Sequence, residues 1–153
     1  MRNTLKYQLL AVASVIIVAV LGSVFVNIGM DWFNLLNKPI QWMPNIVIPI
    51  VWTIVYILAI IILCVLIKNN QLNAKLLIYF VINGILNVLW CLIFFALQLT
   101  LLGNIVIILN LIAAWLWWIN LLRVNNLQGY IMLIYPIWLS IATTLNLCLW
   151  ILN

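Results

Sequence analysis

Charged side chains are scarce in this chain, and histidine is absent. The 153 residues include one acidic side chain, Asp31, and six basic side chains. General acid–base hydrolysis uses two tuned carboxyl groups, and a nucleophilic triad uses a histidine or an equivalent base. A chain with one acid and no histidine therefore excludes the ordinary hydrolase mechanisms. It also excludes conventional metal catalysis and the ligation of a haem iron by histidine.

Cysteine is also rare, and its positions indicate neither a disulfide nor a metal site. Cys64, Cys91 and Cys148 are odd in number, lie within apolar runs and form no Cys-x-x-Cys pair. Disulfide frameworks and structural zinc sites use paired or clustered cysteines. We therefore interpret the three as small packing residues, and we predict neither a metal site nor a resident cofactor.

Hydrophobic side chains dominate the sequence. They make up 70% of the residues, and the mean hydropathy is +1.37. A soluble domain needs a polar surface that this composition cannot supply. The net charge of +5 comes from cations scattered at the ends of apolar runs, so it indicates membrane topology rather than a nucleic-acid surface. The protein is predicted to be an integral membrane protein without a nucleic-acid partner.

Five apolar runs are each long enough to cross a bilayer core of about 30 Å. They comprise roughly residues 7–28, 46–67, 76–97, 101–122 and 129–151. Transmembrane strands would alternate polar and apolar residues, which these runs do not. The first run is too long for a signal peptide, and no Ala-x-Ala cleavage pattern follows it. We predict an all-α membrane protein, with residues 1–153 forming a single five-transmembrane-helix bundle.

The one long break between these runs, residues 29–45, is rich in aromatic residues and proline. It contains Asp31, Trp32, Trp42, Pro39 and Pro44. Ordered loops of this length are more often lids or binding loops than connectors. We therefore predict that this long first extramembrane loop acts as a lid.

The basic residues predict the orientation of the bundle. One side carries Arg2, Lys6, Lys68, Lys75 and Arg123, whereas the other carries Lys38 alone. Cytoplasmic loops of membrane proteins have an excess of lysine and arginine. The N-terminus is therefore predicted to be cytoplasmic, and the lid and the C-terminus to face outward.

Three spans carry stripes of aromatic and amide side chains at helical spacing. The stripes are Pro49, Trp52 and Tyr56 on the second span; Asn83, Asn87, Trp90 and Phe94 on the third; and Tyr135, Trp138, Ala142 and Asn146 on the fifth. At about 1.5 Å per residue, the three tryptophans lie between the bilayer midplane and the outer surface. If the stripes converge, they outline a pocket for a flat apolar ligand beneath the lid. We interpret Trp115, Trp117, Trp118 and Trp150 instead as residues of the membrane-interface belt.

These residues fall into motifs that resemble a known family. The motifs are Trp32-Phe33-x-x-Leu36-x-Lys38-Pro39, Pro49-x-x-Trp52-x-x-x-Tyr56, Asn87-x-x-Trp90-x-x-x-Phe94-Phe95 and Tyr135-x-x-Trp138-x-x-x-Ala142-x-x-Leu145-Asn146. Their order and spacing resemble the TspO/translocator protein family, the tryptophan-rich sensory proteins. The resemblance implies a five-helix protein of a bacterial cell membrane, commonly a homodimer, that binds porphyrins and other flat hydrophobic ligands beneath its first loop.

The resemblance implies a set of ligand-binding residues and one activity. The ligand-binding positions are Trp32, Phe33, Trp42, Trp52, Tyr56, Asn87, Trp90, Phe94, Tyr135, Trp138, Ala142 and Asn146. Some bacterial members are reported to degrade protoporphyrin in light. The residues here that match the implicated tryptophans are Trp52 and Trp138, which would carry a light- and oxygen-dependent degradation.

The chain departs from the family pattern in several places. Gln41 and Met43 stand where the family has a tryptophan and a proline in the loop, and Phe33 stands where a tyrosine is frequent. Pro136 follows Tyr135, whereas the family proline precedes the tyrosine. Because no basic residue follows Arg123, the cholesterol pattern of the last helix is not met, and sterol binding is not predicted.

Three functions are compatible with these features. The leading hypothesis is a membrane receptor for porphyrins such as protoporphyrin IX, with membrane lipid as its other partner. A passive carrier of a small hydrophobic metabolite is the alternative, since coupled transport normally uses ionisable residues inside the spans. The third is an assembly protein that packs a partner on the small residues Ala11, Ala19, Gly22, Ala113 and Ala114.

Overall fold

The computed structural model describes residues 2–39 and 43–153, and most of them are helical. The helices are α1 (Arg2–Leu35), α2 (Val47–Lys68), α3 (Ala74–Cys91), α4 (Thr100–Val124), α5 (Asn126–Met132) and α6 (Ile134–Leu152). A π-helical turn, Leu92–Ala96, continues α3. The described residues contain no strand. The predicted all-α class is confirmed.

Five segments of the described chain are long and apolar enough to cross a membrane. They are Asn3–Leu35, Val47–Lys68, Ala74–Ala96, Thr100–Val124 and Asn126–Leu152, the last comprising α5 and α6. Helices satisfy their backbone hydrogen bonds internally, which a hydrocarbon environment requires. The protein is a multi-pass integral membrane protein, as its composition predicts.

The spans pack as a closed ring. α1 packs against α2 and α3, α3 against α4, and α4 against α6, while α2 closes the ring against α5 and α6. The lysine-bearing end of the bundle is the end with Lys6, Lys68, Lys75 and Arg123. The loop-bearing end is the opposite one, with Lys38.

The first helix is longer than predicted, because Gly29 does not end it. Residues 29–35, predicted to start the loop, form the last turns of α1. A Cβ atom at position 29 would clash with the carbonyl oxygen of Phe95. Glycine therefore lets α1 approach the π-helical turn closely. Of the predicted lid, the structure describes residues 36–39 and 43–45 outside α1, and the lid itself stays a prediction.

The fifth span is two helices rather than the predicted single helix. α5 ends at Met132 and α6 begins at Ile134, with Leu133 between them. Pro136 has no N–H group to donate to the carbonyl oxygen of Met132, so the helical hydrogen-bond ladder is interrupted there. The displaced proline places the break just before Tyr135.

Asparagine side chains fasten both ends of the bundle. At the lysine-bearing end, Asn73 caps α3 by accepting a hydrogen bond from the Leu76 amide at 2.9 Å. At the loop-bearing end, Asn153 accepts a hydrogen bond from the Asn37 amide at 2.8 Å and donates one to the Asn37 carbonyl oxygen at 3.1 Å. The C-terminal residue therefore holds the segment that follows α1.

Candidate functional site

A cavity of about 450 Å³ lies between α1, α2 and α3 at the loop-bearing end. Its lining is largely aromatic and aliphatic, with a few amide and hydroxyl groups. The aromatic residues that line it are Phe33, Trp52, Tyr56, Trp90 and Phe95. Ligand sites in proteins commonly have this size and this mixture of apolar walls and sparse polar groups. We refer to it as the aromatic cavity.

Trp52 and Trp90 form one wall of the aromatic cavity. Their ring centroids are 6.4 Å apart, and the planes are inclined by 30°. Trp52 also stacks on Tyr56, at 5.6 Å and 28°. The helical spacing of Trp52 and Tyr56 on α2 faces both rings toward α3. The wall is therefore a cluster of stacked aromatic rings, against which a flat ligand can pack.

Two buried polar groups of the cavity residues lack a hydrogen-bond partner. The Asn87 amide nitrogen donates to the hydroxyl oxygen of Tyr56 at 2.9 Å, while Asn87 Oδ1 has no partner. The indole nitrogen of Trp90 has none either. Buried polar groups are normally paired, so an unpaired acceptor and an unpaired donor indicate groups that a ligand or water would satisfy.

The side of the aromatic cavity between α1 and α2 is polar and open. Ser23 and Asn27 from α1, Thr53 from α2 and Asn45 before it line this side, and all four are exposed. A ligand therefore has a lateral entrance between the two helices, with polar groups at the rim and aromatic groups inside.

Phe33 and Lys38 lie at the top of the cavity. Phe33 packs against Phe95 at 5.3 Å between ring centroids. The ammonium nitrogen of Lys38 lies 4.6 Å from the centroid of the Phe33 ring, a cation–π contact. Lys38, the one basic residue predicted for this end of the bundle, is thus held beside Phe33, which lines the cavity.

Phe94 was predicted to share the cavity face of Trp90, but Phe95 occupies that face. Phe94 is fully buried, stacks on Trp90 at 6.1 Å and packs against Gly103 of α4. The π-helical turn is the reason: it replaces the i to i+4 bond with an i to i+5 bond, such as Leu97 N–H to the Leu92 carbonyl oxygen at 2.9 Å. The extra residue moves position 95 to the cavity.

Trp32 lies behind the cavity wall. Its ring meets that of Phe94 edge-on at 5.6 Å, and it is not among the cavity-lining residues. Trp42 and Gln41, predicted for the lid, lie outside the described residues. Met43 is half-buried.

The stripe on α6 lies apart from the aromatic cavity. Trp138 and Asn146 are buried and Ala142 is half-buried, but none of the three lines that cavity. α6 packs mainly on α4, across the ring from α1. Within the described residues, Trp138 makes no ring contact with Trp52. Of the three stripes predicted to converge, those of α2 and α3 line the aromatic cavity, and that of α6 reaches it only through the contact of Tyr135 with Trp52.

Tyr135 is the residue of the α6 stripe that contacts the wall of the aromatic cavity. Its ring meets Trp52 edge-on at 6.4 Å, and its hydroxyl group donates to Asn83 Oδ1 at 3.0 Å. Tyr135 and Asn83 line a separate cavity of about 50 Å³ that shares Trp52, Tyr56 and Asn87 with the aromatic cavity. This smaller cavity has room for water-sized molecules only.

Trp117 also lines the small cavity, although it was predicted to be a membrane-interface residue. Its side chain is 2% exposed and meets the Tyr135 ring at 6.3 Å. Asn110, Ala114 and Leu121 are buried on the same face of α4, with spacings of four, three and four residues in the order 110, 114, 117 and 121. That periodicity is the signal that places position 117 inside the bundle.

Sequence reasoning missed the wall contributed by α1. Ala19, Gly22, Val26 and Met30 line the aromatic cavity together with Ser23 and Asn27. Their helical spacing and the small or polar side chains among them are a readable signal. Ala19 and Gly22, two of the small residues predicted to pack a partner, line this cavity.

The arrangement supports recognition by shape and stacking rather than by ionic chemistry. The wall on α3 also includes the buried thiol of Cys91. Among residues 2–39 and 43–153 there is no cluster of His, Cys, Asp or Glu that would hold a metal ion. A flat apolar molecule with a few polar substituents matches the aromatic interior and polar rim.

Comparisons with known proteins agree with this description. A family model described as the TspO/MBR family matches residues 10–151. The chain is 30% identical over 125 residues to Protein CrtK of Rhodobacter capsulatus. The aligned region covers 80% of this chain and 78% of that protein.

Proposed function

Because the chain belongs to the TspO/MBR family, we propose that it is a membrane receptor that binds porphyrins and similar flat hydrophobic ligands in the aromatic cavity. The observation that carries the proposal is the pair of nearly parallel indoles of Trp52 and Trp90 on the cavity wall. Each aromatic contact with a ligand ring contributes about 0.5 to 1.5 kcal/mol beyond burial.

The polar groups of the cavity suit a porphyrin that carries carboxylates. The macrocycle would lie in the aromatic interior, and its polar substituents would lie at the rim formed by Ser23, Asn27 and Asn45. The Lys38 ammonium group beside Phe33 is the cation available to a carboxylate at this end. Stacking and burial would hold the ring of a metal-free porphyrin, which needs no axial ligand from the protein.

The proposal includes the orientation and the location. The N-terminus is cytoplasmic and the membrane is a bacterial cell membrane, so the aromatic cavity lies in the outer half of the bilayer. The excess of lysine and arginine at the opposite end of the bundle supports this orientation. Reporter fusions at residue 1 and residue 153 test it, with activity expected from an extracytoplasmic reporter only at the C-terminal fusion.

The binding experiment uses the purified full chain in lipid nanodiscs. Protoporphyrin IX is titrated in darkness while tryptophan emission is recorded. Saturable quenching at micromolar or lower ligand supports the proposal. Emission that falls only linearly, as it does for free tryptophan in empty nanodiscs with the same absorbance, contradicts it.

A passive carrier is the second candidate function. Three cavities share lining residues in succession. The small cavity, which all the helices border, shares Tyr56 and Asn87 with the aromatic cavity and Phe80 with a third cavity of about 520 Å³. The middle cavity, about 50 Å³, is too small for a macrocycle, so this conformation is closed to passage. Movement of porphyrin into acceptor-loaded liposomes, faster with protein than without, would favour the carrier.

A further inference from the structure

The third cavity, at the lysine-bearing end, has no role in the proposed receptor function. It has a volume of about 520 Å³ and lies between α1, α2 and α3, against Tyr7, Ala11, Leu63, Ile67 and Leu77. Its volume falls within the range of about 300 to 1,000 Å³ that is usual for ligand sites. The lining is predominantly aliphatic, which suits a hydrocarbon chain.

This space exists because the first half of α1 packs loosely. From residue 3 to residue 14, no described side chain of α1 is buried, and Val15 is the first that is. The Gln8 amide nitrogen donates to the carbonyl oxygen of Cys64 on α2 at 3.0 Å, which keeps the two helices in register. The gap beside this contact is bounded by hydrocarbon from three helices.

We refer to the end of this cavity that is lined by Tyr7, Ile67 and Ala74 as its mouth. Lys6, Lys68 and Lys75 are exposed, and each adjoins in sequence a residue that lines the cavity. The positive end of the α3 dipole lies at the same mouth, because α3 begins at Ala74.

No acidic side chain neutralises these lysines. The chain has one acid, Asp31, at the other end of α1. At about 1.5 Å per residue it lies roughly 38 Å from Lys6. The mouth therefore combines uncompensated positive charge with an apolar interior.

We propose that this cavity binds an anionic phospholipid of the surrounding bilayer, with an acyl chain between α1, α2 and α3 and the phosphate headgroup against Lys6, Lys68 and Lys75. Basic pockets between transmembrane helices bind acidic headgroups through the attraction of lysine or arginine for phosphate. The acyl chain is already in hydrocarbon, so its contribution comes from filling the gap and from van der Waals packing against the three helices. The lipid fills the gap that α1 leaves and stabilises its first half against the bundle. This inference is independent of the porphyrin proposal.

The test measures lipid retained by the full chain after purification in a mild detergent, by native mass spectrometry. Phosphatidylglycerol and phosphatidylcholine with identical acyl chains are supplied in equal amounts. The wild type is expected to retain one phosphatidylglycerol in clear preference to phosphatidylcholine. Equal retention of the two lipids would overturn the proposal.

Variants distinguish the binding of the lipid headgroup from the binding of the acyl chain. The triple variant Lys6→Gln, Lys68→Gln, Lys75→Gln is expected to lose the preference, with retention falling roughly fivefold for each lysine removed. Lys38→Gln, at the loop-bearing end, is the matched control and is expected to retain the lipid as the wild type does. Unchanged retention in the triple variant would contradict the assigned headgroup position.

Ala11→Phe fills the cavity while leaving the lysines in place. Its expected result is loss of the retained lipid, whereas Ile16→Phe, on the exposed side of the same helix, leaves retention unchanged. Retention by Ala11→Phe equal to that of the wild type would place the lipid on the surface and overturn the cavity assignment. Circular dichroism and elution volume of each variant verify that the bundle is folded.

Discussion

The amide nitrogen of Asn87 on α3 donates a hydrogen bond to the hydroxyl oxygen of Tyr56 on α2, at a distance of 2.9 Å. Both residues line the aromatic cavity and the small cavity beneath it. This bond therefore forms the floor of the ligand space. It also fixes the ring of Tyr56, on which Trp52 stacks.

Tyr56→Phe removes the acceptor of this bond while keeping the ring. We expect a loss of about 0.6 to 1.7 kcal/mol in stability, the range between the average and the largest value for hydrogen bonds between transmembrane helices. The measurement is thermal unfolding in detergent, followed by circular dichroism. Tyr7→Phe, at an exposed position of α1, is the control and should unfold as the wild type does. An unchanged transition for Tyr56→Phe would contradict a structural role for this bond.

Gly29→Ala places a methyl group against the backbone of the π-helical turn. The clash is with the carbonyl oxygen of Phe95, which cannot move without displacing the turn. We expect destabilisation of about 1 to 3 kcal/mol, the usual cost of overpacking, together with weaker ligand binding. Gly84→Ala is the comparison, because its Cβ would meet the side-chain methyl group of Val18 at 3.2 Å, a neighbour that can adjust. Equal melting temperatures for both variants would contradict the close approach at Gly29.

Lys38→Gln tests whether the cation at the loop-bearing end receives a ligand carboxylate. We expect about fivefold weaker binding of protoporphyrin IX, since a partly exposed ion pair contributes about 1 kcal/mol. The dimethyl ester of the same porphyrin lacks the carboxylates, so the substitution should not affect its binding. Lys68→Gln is the control at the opposite end. The same loss for acid and ester would show that Lys38 acts through packing on Phe33 rather than through charge.

Trp52 and Trp138 should differ in any light-dependent degradation of bound porphyrin. Trp52 lines the aromatic cavity, whereas Trp138 does not. Electron transfer from an indole to an excited macrocycle slows steeply with distance, so Trp52→Phe is expected to slow the loss of porphyrin absorbance under light severalfold. Trp138→Phe is expected to leave the rate near that of the wild type. A larger effect from Trp138→Phe would reverse the assignment.

The fold could be predicted from sequence because five apolar runs of membrane length leave few alternatives. The predicted spans match the helices to within a few residues, except where glycine and proline have roles other than terminating a helix. Gly29 was interpreted as a loop residue, but a close approach between helices requires it. Pro136 breaks the fifth span before Tyr135, whereas the sequence pattern predicted one helix.

The positions of the cavity-lining side chains could be predicted where helical periodicity holds. Trp52, Tyr56, Asn87 and Trp90 lie on regular α-helix, and the structure brings them to one cavity. Phe94 was misplaced because the π-helical turn shifts the register by one residue, which a spacing argument based on 3.6 residues per turn cannot anticipate. Whether the stripe on α6 reaches the cavity depends on which helices lie next to one another. The order of the spans around the ring is set by packing, which periodicity along one helix cannot predict.

The binding of protoporphyrin IX by the double variant Trp52→Ala, Trp90→Ala tests the central claim most directly. Binding is followed in darkness by the porphyrin absorbance shift in nanodiscs, and Trp150→Ala, exposed near the end of α6, is the matched control. We expect the double variant to bind at least about tenfold more weakly than the wild type, because two aromatic contacts are lost, and the control to bind equally well. Wild-type affinity in a folded double variant would contradict the assignment of the aromatic cavity as the porphyrin site.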